Sequence, residues 1–246
     1  MLLNALMRPP KPTKNHPLHH PAFPRSNAYD PNWVLANEMG PNALWLTEYL
    51  VEAVDIRPGM CVLDLACGKA LSSIFLAEQY GVTVHAVDLW IDADDNLKRI
   101  TACELGERII PLQAEATGLP FEPERFDAII SIDAFEYFGL ETGYLASILP
   151  LLKPGGQIGI VNAGVIKDVS VMPSSWPEDF ANFRSADWWR AHWQDVAEVE
   201  CADNMEGARD LWMLWNDVTN ARDDDWIRGA AGENLTFNRI VARRPK

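Results

Sequence analysis

The sequence predicts an α/β fold: a mostly parallel sheet of seven strands with helices on both faces, a last strand running antiparallel, and a helical cap rich in aromatic residues. Three observations carry that prediction. Short apolar runs alternate with amphipathic stretches from Cys61 to Val161, the pattern of strands joined by crossover helices. A turn of small residues, Ala66-Cys67-Gly68-Lys69-Ala70, joins the first of those runs to the first crossover helix. Seven of the ten tryptophans lie between Trp176 and Trp226, after the alternation has ended.

The elements follow in order. Residues 1–31 hold seven of the seventeen prolines and three of the five histidines, a composition that disfavours a helix and buries little apolar area. Residues 1–30 are therefore expected to form a flexible arm, with His16, His19 and His20 on a solvated tail rather than on a metal, and residues 31–246 to form the main domain. From Pro31 to Val54 the residues Val34, Leu35, Leu44, Trp45, Tyr49 and Leu50 recur at helical spacing around a Gly40-Pro41 break, which predicts two short helices. Cys61 to Ala66 reads as a buried strand, Leu71 to Tyr80 as a helix stopped by Gly81, and Val82 to Val87 as the next strand. The alternation continues with a helix from Asn96 to Leu105, strands Ile109 to Leu112 and Phe126 to Ile132, a helix near Thr142 to Leu152, and a strand Gln157 to Val161. Val196 to Cys201 and Leu235 to Ala242 complete the seven strands. Residues 164–234 include the cap, whose helical face carries Leu211, Leu214, Trp215 and Val218.

Composition narrows the function. A chain of 246 residues, 48% of them apolar, is long enough to bury a sizeable core. The net charge of -14, with the basic residues scattered, repels a phosphate backbone, so nucleic acid is an unexpected partner. The four cysteines form no C-x-x-C pair and read as reduced thiols. The apolar opening from Met1 to Met7 is too short for a secretion signal, and no run approaches the roughly 20 apolar residues that span a bilayer. The expectation is a cytoplasmic chain with no membrane partner.

The turn after Leu65 carries the chemistry. Small residues let the backbone approach a ligand closely, and the following helix offers unpaired N–H groups. Asp64, at the strand end, either accepts hydrogen bonds from an ammonium group or orders the turn. Twenty residues after Gly68, Asp88 ends the next strand, where a carboxylate accepts the two hydroxyls of a ribose in an open-sheet nucleotide site.

Over residues 57–163 the chain resembles the class I S-adenosylmethionine-dependent methyltransferases. The resemblance implies a Rossmann-like fold, S-adenosylmethionine as cofactor and S-adenosylhomocysteine as product. It implies that Ala66, Cys67 and Gly68 cradle the amino acid half of the cofactor, and that Asp88 holds the ribose; Leu89 is a further cofactor candidate, and Trp90, two residues after Asp88, is placed to lie against the adenine edge. It also implies that Glu115 and Ala116, within Ala114-Glu115-Ala116-Thr117-Gly118-Leu119-Pro120-Phe121, bracket the adenine. The segment Ser131-Ile132-Asp133-Ala134-Phe135-Glu136-Tyr137-Phe138 resembles the one that faces the methyl group, so Asp133 is a candidate for both cofactor contact and catalysis. Leu152-Lys153-Pro154-Gly155-Gly156 matches the turn before the family's fifth strand.

Two departures from the family pattern stand out. The turn keeps one glycine, Gly68, where relatives commonly have three, with Ala66 and Ala70 in the flanking places. Alanine does not adopt a positive φ cheaply, so the turn is expected to lie in ordinary backbone regions. Many relatives have a Glu-His pair where this chain reads Glu136-Tyr137, so no histidine base stands there.

Methyl transfer from a sulfonium is an in-line displacement, which needs a positioned acceptor and excluded water before it needs a base. For an acceptor that carries a proton, Asp133, Glu136 and Tyr137 are the candidate catalytic groups, and each also suits capping of the next helix. Tyr29 and Trp33 are candidate lid residues, or simple packing for the first helix. Trp176, Trp188, Trp189, Trp193, Trp212 and Trp215 suit either a pocket for a flat or cationic substrate or the core of the cap, with Trp176 and Trp189 singled out as substrate contacts. The expected function is S-adenosylmethionine-dependent methyl transfer to a small molecule. The alternatives are a non-catalytic S-adenosylmethionine-binding protein and a nicotinamide-dependent oxidoreductase, the latter needing a G-x-G-x-x-G turn that is absent. No motif specifies the acceptor atom or the oligomeric state.

Overall fold

β1 (Cys61–Leu65) sits inside the sheet because its residues are apolar on both faces: Val62, Leu63 and Leu65 are all buried. The computed structural model describes residues 16–220 and 224–246. β1 pairs in parallel with β2 (Thr83–Asp88) on one side and β4 (Phe126–Ile132) on the other. β3 (Ile109–Gln113) extends the sheet beyond β2, and β5 (Leu152–Val165) extends it beyond β4, again in parallel. β7 (Leu235–Arg243) runs antiparallel to both β5 and β6 (Glu198–Asn204), giving the order β3-β2-β1-β4-β5-β7-β6. The strand order reverses between β1 and β4, which opens a crevice at the carboxyl ends of the central strands.

The two faces of the sheet carry separate cores. One is built from α1 (Pro31–Ala36), α2 (Ala43–Val51) and α3 (Leu71–Tyr80), with Ile100 of α4 (Ala93–Ala102). The other holds α5 (Tyr144–Ile148) and α6 (Ala186–Trp193). α7 (Ala208–Thr219) and Ile227 of α8 (Asp225–Arg228) join the first core, so the cap helices are divided between the two faces. Helix starts follow local capping chemistry: Asp30 accepts from the N–H of Asn32 and Trp33, Asn42 from Leu44, and Asp92 from Asp94. Among the described residues, no helix is long and apolar enough to cross a membrane.

Several boundaries differ from the sequence expectation. The Asp92 cap starts α4 at Ala93 rather than Asn96. Pro150 has no N–H to continue α5, so the chain tightens into a 3-10 turn over Leu149–Leu151. β5 runs on to Val165 because β7 offers a partner to every residue from Gln157 to Val165, including polar Asn162 and side-chain-free Gly164. The largest difference lies before Pro31. Residues 1–15 are outside the described residues, but from His16 the chain is packed: Leu18, Phe23 and Tyr29 are core residues, and Phe23 stacks on Trp45 with ring centroids 5.4 Å apart. Buried Glu48 holds this stretch by accepting from the N–H groups of Arg25 and Ser26 and from the Ser26 hydroxyl. The flexible arm expected over residues 1–30 is thus replaced, over residues 16–30, by an ordered strap.

Candidate active site

The backbone of the βα turn is the first surprise. Ala66, Gly68 and Ala70 have φ of 58°, 54° and 61°, so all three are left-handed, against the expectation that the alanines keep the turn in ordinary regions. Neighbouring elements impose this. The Cys67 N–H donates to Val87 O of β2, the Gly68 N–H donates to the Asp88 carboxylate at 2.8 Å, and the Asn96 side chain of α4 donates to Gly68 O at 2.8 Å. Left-handed alanine costs roughly 1 to 2 kcal/mol, a strain that these tertiary bonds offset.

Asp88 is buried, and its second carboxylate oxygen accepts from the N–H groups of Trp90 and Ile91 at 2.8 and 2.9 Å. Three backbone donors therefore fix the carboxylate. Asp64 behaves differently. One oxygen accepts from the hydroxyls of both Ser72 and Ser73 at 2.6 Å, while burial pushes its carboxyl up to about 6. It ties β1 to the start of α3, where the helix dipole favours a negative charge. Of the two roles open in the sequence, the structure supports ordering of the turn; Asp64 is not on the wall of the cavity described next.

A cavity of about 510 Å³ opens at the carboxyl ends of β1, β2 and β4. It brings together Ala66, Cys67, Gly68, Asp88, Leu89, Trp90, Glu115, Ala116, Asp133, Glu136 and Tyr137, all of them expected at the site. Leu89 and Trp90 are exposed at its edge, Trp90 to 77%. Asp133 is left-handed, with φ 51°, at the end of β4; its N–H donates to Val161 O and its carboxylate accepts from the Ala163 N–H. Short polar side chains such as aspartate tolerate this conformation best. Burial holds the carboxyls of Asp133 and Glu136 above their ordinary range, and the charge of Asp133 raises Glu136 further. Glu136 Oε2 is buried with no hydrogen-bond partner. Tyr137, half exposed, has its phenol pushed up to about 12 by burial and by the two carboxylates.

Four predicted substrate contacts lie elsewhere. Tyr29 and Trp33 are core residues stacked on each other, with Tyr29 also against Phe75 and its hydroxyl accepting from Gln79. Trp189 is fully buried on the opposite face of the sheet against Phe135 and Trp193, because α6 packs there. Trp176 is buried against Phe180, off the cavity wall. The aromatic wall is made by Trp212 and Trp215, two of the six tryptophans the sequence offered for it, together with Phe180 and Phe183, which it did not. The two phenylalanines stack at 4.2 Å and both touch Trp212.

Sequence reasoning also missed the segment over residues 37–41, which lines the cavity. Lys69 donates to Glu38 O and Arg99 to the Asn37 side chain, while Met39 lies over Gly68. Gly40 is the one position there that demands glycine, since a Cβ would stand 2.7 Å from Asp133 Oδ2. The Gly40-Pro41 break was the only signal of this element, and it marks a turn without saying what the turn covers. Among the described residues, no group of three or more His, Cys, Asp or Glu is arranged to hold a metal.

Residues 62–156 match the family model for a methyltransferase domain. The chain is 29% identical over 139 residues to phosphoethanolamine N-methyltransferase 1 of Zea mays, a match covering 56% of this chain and 26% of that protein. It is 27% identical over 157 residues to methyltransferase GfsG of Streptomyces halstedii, covering 62% of this chain and 54% of GfsG. In three dimensions it resembles geranyl diphosphate C-methyltransferase from Streptomyces coelicolor, with a TM-score of 0.70 at 16% identity over 97% of this chain and 91% of that one. The cyclase SpnF shares the fold at a TM-score of 0.68 and 16% identity, over 85% and 84% of the two chains. Over residues 62–156 the chain thus matches a methyltransferase domain, and in sequence and fold it is similar to class I S-adenosylmethionine-dependent methyltransferases.

Proposed function

We propose that the protein is an S-adenosylmethionine-dependent methyltransferase that acts on a small-molecule acceptor. The observation that carries this reading is the pinned pair of Asp88 and Gly68 sharing one cavity with Asp133 and Glu136. The donor set fits the cofactor. Asp88 is fixed by three backbone N–H groups yet still borders the cavity, so of its four lone-pair sites one, on Oδ2, is left to suit a ribose hydroxyl. Gly68 and its left-handed neighbours bring bare backbone to the same wall. Glu115, Ala116 and Trp90 border the cavity where the family places the adenine.

Bound S-adenosylmethionine supplies an electrophilic methyl group on a sulfonium. The task of this chain is then to orient the acceptor in line and exclude water. Residues 37–41 line the cavity, and the aromatic wall offers apolar surface to an acceptor. We read residues 164–234 as the region that includes this cap, and Asp133, Glu136 and Tyr137 as the groups closest to the reacting centre. The relatives' names, among them an N-methyltransferase and a C-methyltransferase, support small acceptors without choosing one.

Calorimetric titration with S-adenosylmethionine and S-adenosylhomocysteine, with NADPH as control, tests the reading. Micromolar binding of the two sulfur compounds alone is expected. Replacing Asp88 by Ala is expected to weaken that binding by about 1.5 to 3 kcal/mol, the worth of charge-assisted hydrogen bonds. Unchanged affinity in a folded Asp88→Ala variant would refute the site. A cyclase shares the fold, so detection of a methylated product, not binding alone, decides the reaction.

A further inference from the structure

The strand order splits the cavity into two halves. Ala66 to Gly68, Asp88 to Trp90, and Glu115 with Ala116 lie at the ends of β1, β2 and β3, and these are the residues read above as the cofactor's. The other half lies beyond the point where the strand order reverses. Asp133 stands at the boundary, after β4; Ala163 belongs to β5, Phe180 and Phe183 follow β5, and Trp212 and Trp215 come from α7. Trp212 stacks on Phe237 of β7 with ring centroids 4.7 Å apart, and Phe237 is in register with Ala163, which fixes α7 at this end of the cavity.

Two properties of the second half select its ligand. The first is a rigid aromatic face. Its rings are held by further rings that do not border the cavity: Trp226 meets Phe180 edge-on at 5.0 Å, Phe237 backs Trp212, and Trp45 meets Trp215 at 6.4 Å. Rings packed in this way are ordered before a ligand arrives, so little of the protein has to be ordered on binding. They favour a flat partner, through offset or edge-to-face contact. The second property is charge. Among the described residues this half contributes no Lys, Arg or His to the lining; Lys69, the one such residue on the whole wall, sits in the turn after β1 and donates to Glu38 O. Backbone donors are engaged as well, since the N–H groups of Asp133, Tyr137, Phe138, Phe180 and Phe183 all donate to carbonyls of the chain. A phosphate or carboxylate brought here gives up its water with no cation to replace it.

On the methyltransferase reading above, we propose that the acceptor has a flat, apolar body, received by Phe180, Phe183, Trp212 and Trp215, and carries no phosphate or carboxylate. Phosphoethanolamine and geranyl diphosphate appear in the names of two relatives. This half of the cavity offers the phosphate of either compound no cationic side chain among the described residues.

The test is calorimetric binding of 2-naphthol, decahydro-2-naphthol and 2-naphthyl phosphate, at neutral pH, to the full chain saturated with S-adenosylhomocysteine. The three share one carbon skeleton and differ in flatness and charge. 2-Naphthol is expected to bind about two- to tenfold more tightly than its saturated, non-planar counterpart and about tenfold or more tighter than the phosphate. Phe180→Ala, at the least buried of the four rings, is expected to weaken 2-naphthol by about two- to tenfold, while retained S-adenosylhomocysteine binding reports that the variant is folded. Four results overturn the assignment: phosphate binding as tightly as 2-naphthol, the saturated alcohol doing so, no binding of any of the three, or unchanged 2-naphthol affinity in a folded Phe180→Ala variant. The comparison of ligands on the unaltered chain keeps the proposal falsifiable if the variant misfolds. Failure of S-adenosylhomocysteine itself to bind overturns the methyltransferase reading instead, so the two failures are distinct.

Discussion

Asp64 and Asp88 end adjacent strands, yet their environments give them different work. Asp88 meets three N–H donors and borders the cavity, whereas Asp64 meets two serine hydroxyls in the interior, its other oxygen without a partner. Burial raises the Asp64 carboxyl from 3.8 to about 6, more than the two hydroxyl bonds lower it. A group whose folded-state affinity for protons is raised binds more protons in the folded than in the unfolded chain between those two values. Stability therefore falls as pH rises through that window. The expected loss for this group is on the order of 3 kcal/mol, from about two pKa units at 1.36 kcal/mol each. Asp64→Asn removes the titration, so urea unfolding at pH 4 and pH 7 is expected to show a larger fall for the unaltered chain than for the variant. Equal falls would mean that Asp64 is ionised in the folded state at little cost.

At the scale of elements, the βα turn shows how far the sequence is legible. β1, α3 and β2 are readable from runs and stops alone, and so is the place of Asp88 at the end of β2. The left-handed alanines were not readable, because the bonds that impose them come from Asp88 and Asn96, distant in sequence. The same limit explains the aromatic wall. Periodicity identifies helical faces around Trp189 and Trp215, but not which face of the sheet receives each helix; α6 went to one and α7 to the other. Phe180 and Phe183 lie in and beside a short 3-10 segment with no repeating pattern to mark them. If the turn is strained as described, Ala66→Gly, at a half-buried position with little side-chain contact to lose, is expected to stabilise the fold by about 0.5 to 1 kcal/mol. The check is a rise in urea midpoint at constant m-value; a fall would mean that the methyl group contributes more than its backbone costs.

The molecule as a whole is held from a direction that proline content concealed. Prolines prevent a helix in the stretch before Pro31, but they do not prevent side chains from docking on elements that already exist. Phe23 stacks on Trp45 of α2, Trp45 meets Trp215 of α7, and Trp215 lines the cavity, so residues 16–30 reach the cap through a chain of aromatic contacts. Glu48 is the polar counterpart. Its buried carboxylate takes the N–H groups of Arg25 and Ser26 and the Ser26 hydroxyl, and loses every one of them if this stretch is removed. A chain lacking residues 1–27 therefore exposes the surface under Leu18 and Phe23, worth roughly 1.5 to 3 kcal/mol for each side chain, and strands a buried carboxylate. The expected destabilisation is about 5 kcal/mol, read as a lower urea midpoint. Phe23→Ala, which leaves the Glu48 bonds in place, is expected to cost about 3 to 5 kcal/mol by itself through the cavity left against Trp45. A truncated chain with an unchanged midpoint would return this stretch to the status of a solvated arm, and a stable truncation paired with an unstable Phe23→Ala would place the defect in misdocking of the strap and not in loss of its contacts.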